Sequence, residues 1–91
     1  MMSRKYILVS GRVQGVGFRY HAMNLALDYH LTGWVRNLNN GAVEMEVQGE
    51  PESVDLFVQN LDTGTNWIRI DNKSVADTQE ISGETAFRIR Y

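Results

Sequence analysis

Gly33-Trp34-Val35-Arg36-Asn37-Leu38-Asn39-Asn40-Gly41-Ala42-Val43-Glu44-Met45-Glu46-Val47-Gln48-Gly49 is the stretch on which the reading of the fold turns. Its first six residues read as a strand, and Asn39-Asn40-Gly41 as a hairpin turn, because Asn and Gly tolerate the positive φ that such turns require. On the return strand Val43, Met45 and Val47 alternate with Glu44, Glu46 and Gln48, which predicts one buried and one wet face, and Gly49 ends it. Each side of the hairpin carries a helix and then a strand. Upstream, Phe18, Ala22, Leu25, Ala26 and Tyr29 fall at helical spacing, preceded by a strand over Lys5 to Ser10 that Gly11 stops. Downstream, Pro51 suits a first helical position, with Glu50 and Glu52 complementing the dipole. Val54, Phe57, Val58 and Leu61 follow as the apolar stripe, and Asp62-Thr63-Gly64-Thr65-Asn66 closes the helix. A further strand lies within Trp67 to Val75, Ala76 to Thr85 reads as loop, and Phe87, Ile89 and Tyr91 alternate with Arg88 and Arg90 in a terminal strand.

The order is β-α-β-β-α-β with room for an extra strand. It predicts an α+β sandwich: an antiparallel sheet covered on one face by two helices. A right-handed crossover leaves the first two strands parallel with the third between them, so their C-terminal ends share an edge. That brings the loop at residues 11–19 near Asn37. Ninety-one residues support one core, so residues 1–91 are expected to form a single domain burying roughly two thirds of its unfolded surface. A dinucleotide-binding fold and an interdomain cleft are excluded. The absence of cysteine removes disulfides, a thiolate nucleophile and sulfur-ligated zinc. The apolar run Tyr6 to Val9 is too short for a signal-peptide core or a membrane span, so a cytoplasmic, soluble protein is expected.

The net charge of −2 conceals an asymmetry. Residues 1–36 sum to +4 and residues 37–91 to −6, and no acid precedes Asp28. An acidic chain with a local base-rich, acid-free stretch suits a small anion better than a nucleic acid. Within that stretch, Gly11-Arg12-Val13-Gln14-Gly15-Val16-Gly17-Phe18-Arg19 joins strand to helix with three glycines, so its backbone can curl and turn successive N–H groups inward. It lacks the Lys-Ser/Thr of a nucleotide-binding loop. No Ser, Thr, Asp or Asn lies between Gly11 and Phe18 to cap the helix, which leaves terminal N–H donors open. Arg19 puts a cation at the positive end of the dipole, unfavourable by about 0.3–1 kcal/mol without an anion there. A bound dianion resolves both features.

A phosphate cradle without a nucleophile or metal cluster suits a mixed anhydride. An acyl phosphate expels a carboxylate that needs no proton, so positioning and charge stabilisation carry the reaction. Asn37 offers a donor group and an acceptor oxygen that can place the attacking water, although asparagine near a strand end also serves turn backbone. His21 is a possible general base, but at 100° per residue it lies well round the helix from Arg19 and is expected to be solvated. His30 fits the helix C-terminus. Trp34, Trp67 and the tyrosines are expected to pack.

The stretch 11–19 resembles the first signature of the acylphosphatases. Gly33-Trp34-Val35-Arg36-Asn37 with Gly41, Val43 and Gly49 resembles the second, and Phe87 to Tyr91 is similar to the usual close of that family. The resemblance implies a ferredoxin-like sandwich and hydrolysis of acyl phosphates to carboxylate and inorganic phosphate, with no cofactor and no metal. It implies that Arg19 and the backbone amides of Gly15, Val16, Gly17, Phe18 and Arg19 bind the phosphate. Asn37 would orient the water, and the phosphate itself would take the proton. A small-molecule partner and a monomer are expected, with no nucleic acid and no membrane. The alternative is a non-catalytic module of the same fold that binds a phosphorylated metabolite. RNA binding on the open sheet ranks last, because the aromatic RNP1 pattern is missing and Glu44 and Glu46 lie on the sheet.

Overall fold

Val43, Met45 and Val47 are fully buried at the centre of the sheet, and the strand that carries them organises its neighbours on both sides. The computed structural model describes residues 1–63 and 66–91. In chain order its elements are β1 (Ser3–Arg12), α1 (Phe18–Asp28), β2 (Thr32–Asn37), β3 (Val43–Gly49), α2 (Pro51–Gln59), β4 (Arg69–Asp77) and β5 (Phe87–Arg90). The sheet order is β4-β1-β3-β2-β5. β3 runs antiparallel to both β1 and β2, so β1 and β2 are parallel with β3 between them, as the crossover argument requires. The sheet is mixed rather than purely antiparallel, because β5 pairs with β2 in parallel at the far edge. β4 at the opposite edge runs antiparallel to β1, so a chain that turns back from β4 at the same end of the sheet enters the far edge parallel to β2.

Period-two alternation sends Ile7 and Val9, Val35, the three β3 residues and Phe87 to one face. There α1 packs over β2 and β5 through Phe18, Ala22 and Ala26, while α2 packs over β1 and β3 through Val54 and Phe57. The helix predicted from Pro51 ends at Gln59, capped by Asn60, and Leu61 is buried just beyond it. Of the residues expected to close it, Gly64 and Thr65 lie outside the described residues. β1 does not stop at Gly11. It continues to Arg12 through an irregularity after Ser10, where β4 comes so close that a Cβ on Gly11 would run into the Arg69 carbonyl oxygen.

The face expected to be wet is covered. Arg4 is 2% exposed, and its guanidinium donates to Glu46 (2.6 Å), Gln48 (3.2 Å) and Glu84 (2.8 and 3.3 Å). Gln48 in turn exchanges hydrogen bonds with the backbone of Ile81, its Nε2 donating to the carbonyl and its Oε1 accepting from the N–H, and the Thr78 N–H donates to the Arg4 carbonyl. The connection 78–86 is thereby strapped across the sheet. At the other end of the same face, Tyr6 and Arg36 both donate to Glu44, and Trp34 lies between the guanidinium groups of Arg36 and Arg90 at 5.5 and 4.7 Å. Long polar side chains laid flat over one another bury Glu44 and Gln48 despite their polarity. Burial and the Glu44 carboxylate push the Tyr6 hydroxyl up to about 12.

Burial alone would raise the Glu84 carboxyl, but the hydrogen bonds and charge of Arg4 hold it below its ordinary value near 4.5. A depressed carboxyl contributes stability that is present above the ordinary value and is lost as pH falls through the folded-state value. Arg4→Met leaves Glu46 and Glu84 without their partner, and should lower the unfolding free energy by about 3–5 kcal/mol at pH 7 in urea titrations. The gap between wild type and variant should narrow as pH drops through the carboxylate range, where Glu84 becomes neutral.

The end of α1 yields a second expectation. His30 adopts φ 59°, its N–H donates to Leu27 O and that of Leu31 to Ala26 O, which together form a Schellman closure. Glycine carries no Cβ penalty in this left-handed conformation. His30→Gly should therefore raise stability by about 0.5–1 kcal/mol in thermal unfolding.

Candidate active site

The loop between β1 and α1 earns its curl at two positions. Gly15 has φ 73° and Gly17 φ 78°, and a Cβ on either would meet nothing within 4 Å, so backbone conformation rather than crowding demands glycine there. Gly17 is also the N-cap of α1, and no side chain caps the helix. The first amide hydrogen bond of the helix runs from His21 to Gly17 O at 3.0 Å. Among the described residues, none of the amides from Gly15 to Arg19 donates to a carbonyl or a side chain. The first turn holds no acid, so the helix dipole and Arg19 leave this end positive.

A pocket of about 200 Å³ opens at this point, lined by Val13, Gly15, Gly17, Phe18, Arg19, Tyr20 and Asn37. Phe18 anchors it from within the core. Of the residues singled out in the sequence, the structure brings Gly15, Gly17, Phe18, Arg19 and Asn37 to one pocket, while Val16 packs against the core. Asn37 is the last residue of β2, on the helix-facing side of the sheet, and its Oδ1 is buried with no hydrogen-bond partner among the described residues. An orphaned acceptor of this kind ordinarily costs about 1–3 kcal/mol unless a water or ligand meets it.

Two side chains that the sequence did not single out set the geometry. Gln14 extends from the loop to the β2–β3 hairpin, and its Nε2 donates to Leu38 O at 2.7 Å and to Ala42 O at 2.8 Å. The amide thus ties the loop to the turn next to Asn37. Tyr91, carried in by β5, lies under the Arg19 guanidinium at 4.9 Å from the ring centroid. The signal for Gln14 was its place between glycines in a curled loop. No local pattern marks Tyr91, because its contact depends on the parallel β2–β5 pairing.

His21 is half-buried rather than solvated. Its Nε2 lies 2.8 Å from Leu61 O, and since a carbonyl only accepts, that nitrogen carries the proton. It clips α1 to the end of α2 and lines no part of the pocket. Trp67 (70% exposed), Tyr20 (55%) and Tyr91 (89%) are on the surface, whereas Trp34 packs as expected. A larger hollow, of about 340 Å³, lies at the opposite end of β1 beside Met1, Pro51 and Asp77, where the Arg4 guanidinium is already paired. Among the described residues, no three of His, Cys, Asp and Glu are grouped so as to hold a metal ion, and no helix is long and apolar enough to cross a membrane.

Residues 5–89 match the family model described as Acylphosphatase. The chain is 43% identical over 90 residues to the acylphosphatase of Geobacillus kaustophilus, covering 99% of this chain and 96% of that relative. It superposes on the crystal structure of the acylphosphatase from Bacillus subtilis with a TM-score of 0.91 at 35% identity, over 100% of both chains. The whole chain also superposes on 12% of full-length HypF, in its phosphate- and nucleotide-bound form, with a TM-score of 0.85 at 28% identity. With the family model matched over residues 5–89 and relatives above 40% identity aligned over nearly the whole of both chains, the chain belongs to the acylphosphatase family.

Proposed function

We propose that the pocket between α1 and Asn37 hydrolyses acyl phosphates through a phosphate cradle of the amides of Gly15, Val16, Gly17, Phe18 and Arg19, closed by the Arg19 guanidinium. The amides and the helix dipole supply oriented donors for the phosphoryl oxygens. Arg19 adds a charge-assisted, bidentate pair, and the Tyr91 ring holds its guanidinium plane. Asn37 Oδ1 accepts a hydrogen bond from a water and aims its oxygen at phosphorus. The single observation that carries the reading is that this buried oxygen, unpartnered in the described structure, belongs to a side chain that lines the same pocket as the loop of unpaired amides.

As the water oxygen bonds to phosphorus, the bond from phosphorus to the bridging acyl oxygen breaks and its electron pair leaves on the carboxylate. One water proton passes to a phosphoryl oxygen and the other stays on the new hydroxyl, so the products are a carboxylate and dihydrogen phosphate. No side chain has to titrate, in keeping with a pocket wall that holds no carboxylate or imidazole. The carboxylate is a stable leaving group, and the phosphate oxygens are the nearest base. A cytoplasmic monomer acting without cofactor completes the proposal.

The likeness to a segment of HypF supports a second reading, a module that binds phosphate without turnover. Hydrolysis of benzoyl phosphate, followed by loss of its ultraviolet absorbance, separates the two. Turnover should persist in excess chelator. Arg19→Ala should raise KM and lower kcat, reducing kcat/KM by about 10²–10³. Asn37→Ala should lower kcat by a similar factor while competitive inhibition by inorganic phosphate is retained. Wild-type turnover in Asn37→Ala would falsify the role given to that residue.

Gln14 supplies a separate check. Gln14→Ala frees the loop to drift relative to Asn37 and should reduce kcat about tenfold with little change in phosphate inhibition, because the amides still bind the anion. Gln14→Glu replaces a double donor with a carboxylate facing two carbonyls and should be worse at pH 7. Part of its activity should return at low pH, where the protonated acid donates one bond.

A further inference from the structure

We propose that Tyr20 is the acyl-contact residue of this pocket and makes the chain selective for acyl phosphates whose acyl group is aromatic. The inference rests on the hydrolytic reading above. Displacement at phosphorus requires the attacking water and the leaving oxygen on opposite sides of the phosphoryl group. Asn37 belongs to the sheet side of the pocket: it shares the helix-facing side of β2 with Val35 and pairs with Val43. A water held there attacks outward from the sheet, so the acyl group must leave on the side of the pocket away from the sheet.

The side chain on that side is Tyr20. Phe18, Ala22 and Ala26 define the sheet-facing stripe of α1, and Phe18 is 1% exposed. Tyr20 follows Phe18 by two residues, about 200° around the axis, and so projects away from the sheet. It is 55% exposed yet lines the phosphate pocket. Its ring is outside the hydrophobic core, and among the described residues no hydrogen bond holds its hydroxyl. An aromatic ring kept at the mouth of a cationic pocket, on the leaving-group side, offers a face against which a second ring can stack.

The neighbouring hollow of about 270 Å³, lined by Arg36, Asn37, Leu38, Asn39 and Tyr91, is the obvious rival. It opens at the end of β2 and is lined from both faces of the sheet, by Arg36 on one and by Asn37 and Tyr91 on the other. Asn37 is the residue the two hollows share, so a water held on it stands between the phosphate cradle and this hollow, and the displacement geometry excludes the hollow as the acyl site.

The test compares kcat/KM for benzoyl phosphate and acetyl phosphate in the wild type, Tyr20→Phe and Tyr20→Ala, so that the intrinsic reactivities of the two substrates cancel between variants. Tyr20→Ala should lose about three- to tenfold on benzoyl phosphate. It should lose less than about twofold on acetyl phosphate, which has no ring to stack. Tyr20→Phe, which keeps the ring, should match the wild type on both. Inhibition by phenylphosphonate should weaken in Tyr20→Ala while inhibition by inorganic phosphate stays constant. Equal losses on the two substrates, or no loss on benzoyl phosphate, overturn the assignment while leaving hydrolysis intact. A wild type that hydrolyses neither substrate overturns the hydrolytic reading, and this inference falls with it.

Discussion

The register of β3 against its two neighbours is the constraint on which the rest of the molecule depends. Val43 sits opposite Val9 on one side and Asn37 on the other, so the end of β1 and the end of β2 lie two strand spacings apart, about 10 Å. That distance brings a loop leaving β1 and a side chain ending β2 into one pocket. A slip of one residue in the β2–β3 pairing would turn Asn37 to the opposite face and present Arg36 to the helices instead. Burial of Val35, Met45 and Val47 on a single face guards against the slip, so hydrophobic packing in the middle of the sheet sets the chemistry at its edge.

Features that arise from local pattern were legible in the sequence. The strand over Val43 to Gln48 with its buried apolar face, the helical spacing of Phe18 to Ala26 and the turn at Asn39 to Gly41 each depend on a few consecutive residues, and all appear in the structure, although the second face of that strand is covered and not wet. The uncapped start of α1 was legible for the same reason, since a cap is a matter of which residue stands at one position. The meeting of Arg19 and Asn37 at one pocket needed one further rule, the handedness of the crossover.

The contacts that escaped the sequence join residues far apart in the chain. Glu44 and Gln48 look solvated in an alternating pattern, and only the distant Arg4, Tyr6 and Ile81 bury them. His21 looks free on a helical wheel until Leu61 arrives from the other helix. Gln14 is a polar residue in a loop until the hairpin carbonyls of Leu38 and Ala42 come within reach. The parallel placement of β5 was likewise invisible, because Phe87 to Tyr91 alternates identically in either direction.

The last strand has a consequence for the order in which the molecule assembles. The β2–β5 ladder joins Gly33 to Phe87 and Arg36 to Arg90, pairings that close loops of more than fifty residues and therefore come late and slowly in folding. The helix start, the glycine loop and the hairpin are local and can form early. Arg19 does not rest on Tyr91 until β5 has docked. The pocket is thus finished by the C-terminal segment, and a chain whose central sheet is already built still lacks the ring that lies against the Arg19 guanidinium.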